Sequence, residues 1–323
     1  MNALVTGGTG FVGRHLVEHL RSAGDDVTAL VRSPTRAEPL AAIGARLERG
    51  DLNDHAALTR AVAGQDVVYH VAGAVAAPSE AAYLAGNRDG TANLVRAATD
   101  AGTRRFIFVS SLAAAGPSQP GVPHRGEVEP HPVTAYGRSK LAGEAVVRAS
   151  TLAWTILRPP AVYGPRDRDN FLTVFRGLRL GIAPVFGDGS TELSAVYAPD
   201  LAEALRAAGV TEATVGRTYY PNHPEVVTSA ELVRIIAGAA GRSVRIIGLP
   251  EPLARGILTV TGGVARLLGR TTILNPDKAN EFYQAAWTGD PAGLRQDTGW
   301  QARHDTAAGF AATFRWYRDA GWL

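Results

Sequence analysis

"VTGGTGFVG", residues 5–13, joins an apolar run to an amphipathic one and carries glycines at 7, 8, 10 and 13. It contains Gly8-x-Gly10-x-x-Gly13, and also Gly7, Gly10 and Gly13 spaced by three. Glycine is needed where a backbone turns tightly, approaches a phosphate, or lets a helix pack closely on a strand. Alone the pattern is weak, and a merely structural tight turn is the alternative. Here the context fits. "NALVT" (2–6) reads as a buried strand directly before the turn, and "FVGRHLVEHLRSAG" (11–24) as a helix stopped by Gly24.

The same alternation continues outward. "DVTALV" (26–31), "ARLERGDL" (45–52), "DVVYHVAG" (66–73), "RFIFVSS" (105–111) and "WTILRP" (154–159) read as strands. "AALTRAVAG" (56–64), "NRDGTANLVRAATDAG" (87–102) and the stretch from "TAYGRSK" (134–140) to about Ser150 read as helices. Apolar strands alternating with amphipathic helices imply an α/β fold, a doubly wound parallel sheet covered on both faces. After Pro159 the rhythm breaks into Pro/Gly-rich loops with shorter elements such as "RTYYPN" (217–222), read as an isolated strand. An aromatic-rich helix is predicted near 305–319. The division expected is a Rossmann-type dinucleotide-binding domain over 1–165, with a strand and helix returning around 190–210. Residues 166–323 then form mainly a smaller, mixed substrate-binding lobe.

Composition narrows the function classes. The chain has 323 residues, 46% hydrophobic and 20% charged, the balance of a globular protein with a large core. Net charge is +3 and the basic residues are scattered, so no nucleic-acid stripe is expected. With no cysteine, disulfides, thiolate metal sites and a Cys nucleophile are excluded. No signal peptide is visible, and a cytoplasmic location is expected. The apolar stretch Leu253–Leu268 is interrupted by Arg255 and Arg266 and is too short to span a bilayer. It reads as a buried or dimer-facing helix, with a cover over a substrate pocket as the alternative. "HLVEH" (His15, Glu18, His19) matches an inverted zinc-protease motif. It lies on the helix after the glycine turn, no further ligand is evident, and no metal is expected.

The helix after the turn presents a dipole end and free N–H groups, those of Phe11 and Val12 among them, to phosphates. At the end of strand two an Asp or Glu would favour NAD by holding the ribose 2′-hydroxyl. The sequence gives Val31 and then Arg32, with Arg36 a turn further. Guanidinium pairs with a 2′-phosphate in forked geometry, so NADP(H) is preferred and NAD(H) remains possible. "GDL" at 50–52 places Asp51 and Leu52 near an adenine.

In "TAYGRSK", Tyr136 and Lys140 stand one helical turn apart on one face. Together with the glycine turn, "GDL", "HVAG" (70–73), "N..GT.NL" from Asn87, "VSS" (109–111), "RPPAVYGP" (158–165) and the terminal "GW…WY" region, they resemble the extended branch of the short-chain dehydrogenase/reductase superfamily. The resemblance runs over nearly the whole chain. It implies that Tyr136 is the general acid in reduction and the base in oxidation. Lys140 and an oxidised nicotinamide would lower its pKa, and Lys140 would also hold the nicotinamide ribose. Ser111 would hold the substrate oxygen, with Ser110 the competing candidate on the opposite strand face. Asn87 would support the backbone or relay a proton. Val71, Ala72 and Gly73, with Pro159, Ala161 and Val162, would frame the cofactor. A homodimer through the helices bearing Tyr136 and Asn87 is implied as well.

Departures from the family pattern shape the expected chemistry. Ser111 is followed by Leu112 and Ala113 where sugar-nucleotide dehydratases carry an acidic pair. In "ELSAVYAPDL" (192–201), Leu193 stands where epimerases carry an Arg for the nucleotide diphosphate. Arg166, Arg168 or Arg176 could substitute for it. With apolar "GILTVTGGVARLL" (256–268), this suits a bulky, partly apolar ketone or alcohol, as in dihydroflavonol reductases and 3β-hydroxysteroid dehydrogenases. An NAD-dependent nucleotide-sugar epimerase with retained cofactor is the alternative; a catalytically silent dinucleotide-binding subunit is a third reading.

Overall fold

The computed structural model describes residues 1–168, 170–267, 271–273 and 275–323. Strand and helix alternate from the start: β1 (Asn2–Thr6), α1 (Phe11–Ser22), β2 (Asp26–Val31), α2 (Pro34–Ala41), β3 (Arg46–Arg49), α3 (His55–Val62) and β4 (Val67–His70). Next, α4 (Glu80–Leu84) runs through a π turn (Ala85–Asp89) into α5 (Gly90–Asp100). Then come β5 (Arg105–Val109), α6 (Leu112–Ala115), α7 (Ala135–Arg148), β6 (Trp154–Leu157) and β7 (Ala161–Tyr163). Beyond lie α8 (Phe171–Gly177), β8 (Ile182–Phe186), β9 (Glu192–Leu193), β10 (Ala195–Tyr197), α9 (Ala198–Val210), β11 (Arg217–Tyr219) and β12 (Val227–Thr228). The chain finishes with α10 (Ser229–Ala239), β13 (Arg245–Leu249), α11 (Glu251–Leu267), α12 (Ala279–Phe282), β14 (Ala286–Trp287), α13 (Ala292–Thr298) and α14 (Thr306–Asp319).

Seven strands form one parallel sheet in the order β11-β6-β5-β4-β1-β2-β3. The strands alternate faces, and both faces are apolar because both are covered. Ala3, Val5, Val67, Tyr69, Ile107 and Val109 enter one buried cluster with α1 and α9. Leu4, Val68, Phe106, Phe108 and Ile156 enter the other with α3, α5 and α7. Strand order reverses between β1 and β4, which opens a crevice at the carboxyl ends of these strands.

"RTYYPN" is not isolated in the second lobe. Arg217–Tyr219 pair in parallel with Thr155–Leu157 and form the edge of the main sheet. Its partner lies some sixty residues earlier, and three residues carry too little alternation to reveal that pairing. The smaller lobe has its own core of Tyr163, Leu172, Phe175, Tyr197, Phe310 and Tyr317. Phe310 of α14 stacks on Tyr163 with ring centroids 4.0 Å apart.

Helix α11 has two apolar faces. Ala254 and Leu258 are buried, and Gly262 lies against Pro276 and Asn275. Leu253, Ile257, Val260 and Val264 are exposed. The expected buried or dimer-facing helix is thus covered on one side only; Leu268, the last residue of that apolar stretch, lies outside the described residues. No described helix is long and apolar enough to cross a membrane.

Candidate active site

The glycine turn is built as tightly as its spacing demands. Gly7 has φ +74°, and a Cβ there would stand 2.7 Å from the Ala72 nitrogen. A Cβ on Gly13 would meet the Gly7 carbonyl oxygen at 2.1 Å, so α1 packs against the turn itself. Gly10 caps α1 and is exposed, Phe11 and Val12 open the helix, and its first turn holds no acidic residue. Twelve residues of aligned dipoles therefore end at an open backbone surface suited to an anion.

Arg32 and Arg36 are exposed, and among the described residues neither guanidinium has a hydrogen-bond or ion-pair partner. Arg49, which no motif marked, pairs in register with Val31 and adds an exposed cation next to Arg32. Asp51 accepts a hydrogen bond from the Asn53 nitrogen at 2.7 Å, and the Leu52 side chain lies against Gly90. Val71, Ala72 and Gly73 follow β4 at the crevice, and Ala161 and Val162 belong to β7. The Pro159 carbonyl oxygen accepts from the Leu112 nitrogen at 2.9 Å, tying that loop to α6. These features fit a dinucleotide: a cradle that side chains would fill and a helix dipole, with unpaired cations just beyond β2.

A polar chain crosses the sheet beneath the crevice. The Ala72 N–H donates to Thr6 Oγ1 at 3.2 Å, which leaves the Thr6 hydroxyl to donate to His70 Nδ1 at 2.7 Å. The Thr91 hydroxyl donates to the Asn87 carbonyl oxygen at 2.7 Å, so its oxygen accepts from His70 Nε2 at 2.9 Å. The network therefore places a proton on Nε2. Burial, with nearby Lys140, pushes the His70 pKa down to about 3.

Asn87 lies in the π turn, a distortion that re-aims side chains. Its Oδ1 accepts from the Ala74 nitrogen at 2.7 Å, and its Nδ2 donates to Ala74 O and Ser139 Oγ at 3.0 and 2.8 Å. It thus pins the loop after β4 onto α7. Gly143 allows the approach, since a Cβ there would stand 2.5 Å from the Asn87 carbonyl oxygen. Gly137 does the same on the other side, where a Cβ would meet the Ala113 carbonyl oxygen at 2.3 Å. Helix α7 is held against both α6 and the π turn by glycines.

The two serines after β5 point apart. Ser110 donates to Glu144 Oε1 at 2.5 Å in the interior. Ser111 caps α6, accepting from the Ala113 nitrogen at 3.2 Å, and lies near enough to the Tyr136 phenol to pull its pKa down. Lys140 is buried and donates to the Val109 carbonyl oxygen at 2.7 Å, with its ammonium 4.5 Å from the Phe108 ring centroid. Burial lowers its pKa to about 8, opposed by the Glu144 carboxylate. The expected depression of the phenol by Lys140 is not what the chain alone produces. Burial pushes Tyr136 up to about 12, Ser111 pulls against it, and the Glu281 carboxylate adds to the rise. The physical reason is burial of the phenol, which outweighs every charge that acts on it.

Several supports left no signal in the motifs. Glu144, one turn beyond Lys140, forms a buried two-pronged ion pair with Arg158, at 2.9 Å to Nε and 2.7 Å to Nη2. Arg158 also donates to the Tyr220 hydroxyl at 3.0 Å. The ring of Tyr83 lies 6.1 Å from that of Tyr136. The first turn of α7 is held from far along the chain: Asp277 Oδ2 accepts from the Ala135 nitrogen at 2.7 Å, and Thr134 donates to Glu281 Oε1 at 2.9 Å. The arginines that could have replaced an epimerase's diphosphate ligand are occupied. Arg166 pairs with Glu18 at 2.9 Å, Arg168 lies over the Trp322 ring, and Arg176 donates to the Trp322 carbonyl oxygen. In "HLVEH", Glu18 pairs with Arg14 as well, and His15 Nε2 bonds the Pro165 carbonyl oxygen at 2.9 Å.

Known proteins match this arrangement across the chain. The pattern of the NAD dependent epimerase/dehydratase family matches residues 3–219. A ceramide reductase of Caulobacter vibrioides is 34% identical over 99% of this chain and 95% of its own. A 2-alkyl-3-oxoalkanoate reductase of Stenotrophomonas maltophilia is 31% identical over 75% of this chain and 76% of its own. The solved structure of MoeE5 in complex with UDP-glucose and NAD superposes with a TM-score of 0.78 at 25% identity, covering 99% of each chain. The glycine cradle, the doubly wound sheet and these matches agree: the chain belongs to the NAD dependent epimerase/dehydratase family, within the extended short-chain dehydrogenases/reductases, and is an NAD(P)-dependent enzyme.

Proposed function

We propose that this enzyme reduces a ketone on a bulky, partly apolar substrate to a secondary alcohol, with NADP(H) preferred over NAD(H). The observation that carries this reading is the Tyr136 phenol beside Ser111, next to the carboxyl end of β5, with its pKa raised by burial. A phenol with pKa near 12 meets a ketone oxygen already carrying the proton that reduction requires. Ser111 positions that oxygen and donates a hydrogen bond as negative charge develops on it. Lys140, protonated below about 8, supplies positive charge behind the phenol and has ammonium protons left for a ribose hydroxyl. The glycine turn and the α1 terminus would hold the pyrophosphate, and Arg32 and Arg36 a 2′-phosphate. The bound dinucleotide supplies the hydride. Relatives named as ceramide and alkyl-oxoalkanoate reductases support an apolar substrate. The occupied Arg166, Arg168 and Arg176 weigh against a nucleotide diphosphate.

The test is absorbance at the reduced-nicotinamide band with long-chain and polycyclic ketones, comparing NADPH with NADH. Tyr136→Phe is expected to lower kcat by about 10²–10⁴-fold with dinucleotide affinity nearly unchanged. Normal turnover in that variant, or no oxidation of either dinucleotide across the ketone panel, overturns the proposal. Epimerisation with retained NAD is the second reading, favoured by the likeness to MoeE5, which was solved with UDP-glucose and NAD bound; a purified protein already carrying tightly held NAD would select it. A homodimer through α5 and α7 belongs to the same proposal. It is supported by the exposed small residues Ala145 on the outer side of α7 and Ala149 at its C-cap.

A further inference from the structure

Of the twelve large apolar side chains exposed among the described residues, five lie on α11 and three more on or beside the β8–β13 ribbon. On α11, Leu253 is 56% exposed, Ile257 49%, Val260 67%, Val264 50% and Leu267 88%. Their spacing of four, three, four and three residues makes one continuous stripe along the helix. The inner face, through Ala254, Leu258 and Gly262, rests on the segment around Pro276. An apolar face is therefore already used for packing, and a second one has no intramolecular cover among the described residues.

Through Pro250 the helix continues backwards into β13, which pairs in parallel with β8. The outward face of that ribbon carries Ile182, Pro184, Arg245 and Ile247, all exposed. Leu180, beside it, is 80% exposed. Arg179, Arg242 and Arg245 are exposed, and among the described residues none has an ion-pair or hydrogen-bond partner for its guanidinium. From 241 to 270 the sequence holds five arginines (242, 245, 255, 266 and 270) and one acid, Glu251. That acid is already paired with Arg255 at 2.7 Å. Apolar side chains among uncompensated cations are the composition that binds at an anionic lipid interface. A second copy of the chain is the poorer occupant, because a two-fold interface would set these cations against themselves.

The surface leads towards the catalytic helix. The segment under α11 contributes Asp277 and Glu281, which hold the Ala135 nitrogen and the Thr134 hydroxyl at the start of α7. Tyr136 is the next residue. Whatever α11 rests upon is thus separated from the phenol by a single layer of chain.

We propose that the outer face of α11, with the basic β8–β13 ribbon beside it, docks on an anionic lipid bilayer, from which the enzyme takes its apolar ketone. The docking stands on the surface itself; the delivery of substrate rests on the reductase reading above. Flotation of the full-length protein with lipid vesicles tests it, without substrate or dinucleotide. The wild type is expected to float with phosphatidylcholine vesicles containing phosphatidylglycerol, and far less with phosphatidylcholine alone. Combining Leu253→Gln, Ile257→Gln, Val260→Gln and Val264→Gln removes only exposed apolar groups and should reduce partition about tenfold or more. Arg242→Glu with Arg245→Glu should remove the preference for the anionic vesicles and its sensitivity to salt. Wild-type protein that stays unbound with both vesicles overturns the proposal, as does a quadruple variant that floats like the wild type. So does a lipid-free mass that falls in the quadruple variant while no flotation is seen, which would assign the face to a second copy. Protein that floats but reduces no ketone overturns only the reductase reading. Protein that reduces a water-soluble ketone but never floats overturns only the docking.

Discussion

Lys140 keeps its ammonium in the interior on one carbonyl oxygen and one aromatic face, and the burial has a measurable consequence. Its pKa falls from 10.5 to about 8. Below about 8 the side chain is charged in both folded and unfolded chains, and the full desolvation penalty is present. Between about 8 and 10.5 the native chain has lost a proton that the unfolded chain still binds, so stability rises with pH there. Lys140→Met lacks this rise. Its stability relative to wild type should therefore drop by about 3 kcal/mol between neutral pH and the top of that window. Urea denaturation of dinucleotide-free protein at both ends measures it; a difference that does not change with pH would refute the assignment. Glu144 belongs beside Lys140 in this account, because its carboxylate is what limits the depression. No sequence motif marked it, since a buried acid is recognised by its partner. That partner, Arg158, stands on the far side of a loop.

At the scale of elements, α7 is placed by what it lacks. Gly137 and Gly143 let it approach α6 and the π turn closely enough for Tyr136 to reach Ser111. Gly137→Ala puts a methyl group 2.3 Å from the Ala113 carbonyl oxygen, and the helix must move away. A displacement near 1 Å at the reacting groups is expected to cost about 10²-fold in kcat, with dinucleotide binding much less affected. Gly177→Ala, which meets nothing within 4 Å, is the control and should leave turnover unchanged. The elements themselves were legible because period and punctuation agree. β1, β2, β4 and β5 are apolar on both faces, and the helices between them end at glycines such as Gly24 and Gly102 with positive φ. The opposed directions of Ser110 and Ser111 follow from the same two-residue period. Two features were not legible. β11 is three residues long with its partner far upstream. The stripe pattern of α11 says that the helix has apolar faces, and only the packing says which is covered.

The whole molecule shows why the second half of the chain resisted reading. Its strands are short, and their pairings join residues from 34 to 94 apart, with the isolated bridge between Ser118 and Ala286 reaching further still. Such contacts leave no periodic trace in either partner. Quaternary structure is open to a direct measurement: light scattering should give twice the 33.9 kDa chain mass, and Ala145→Glu on α7 with Ala149→Glu at its C-cap should return it to one. A wild type that stays at a single chain mass at all concentrations would remove the α5–α7 dimer. The clasp of Asp277 and Glu281 on the first turn of α7 bears on synthesis. A ribosome delivers the tyrosine early and its clasp about 140 residues later. The last sheet strand, at 217–219, also emerges well after the helix it must accommodate. In a chain emerging from a ribosome, the glycine turn and Tyr136 therefore appear well before the carboxylates that fix the first turn of α7.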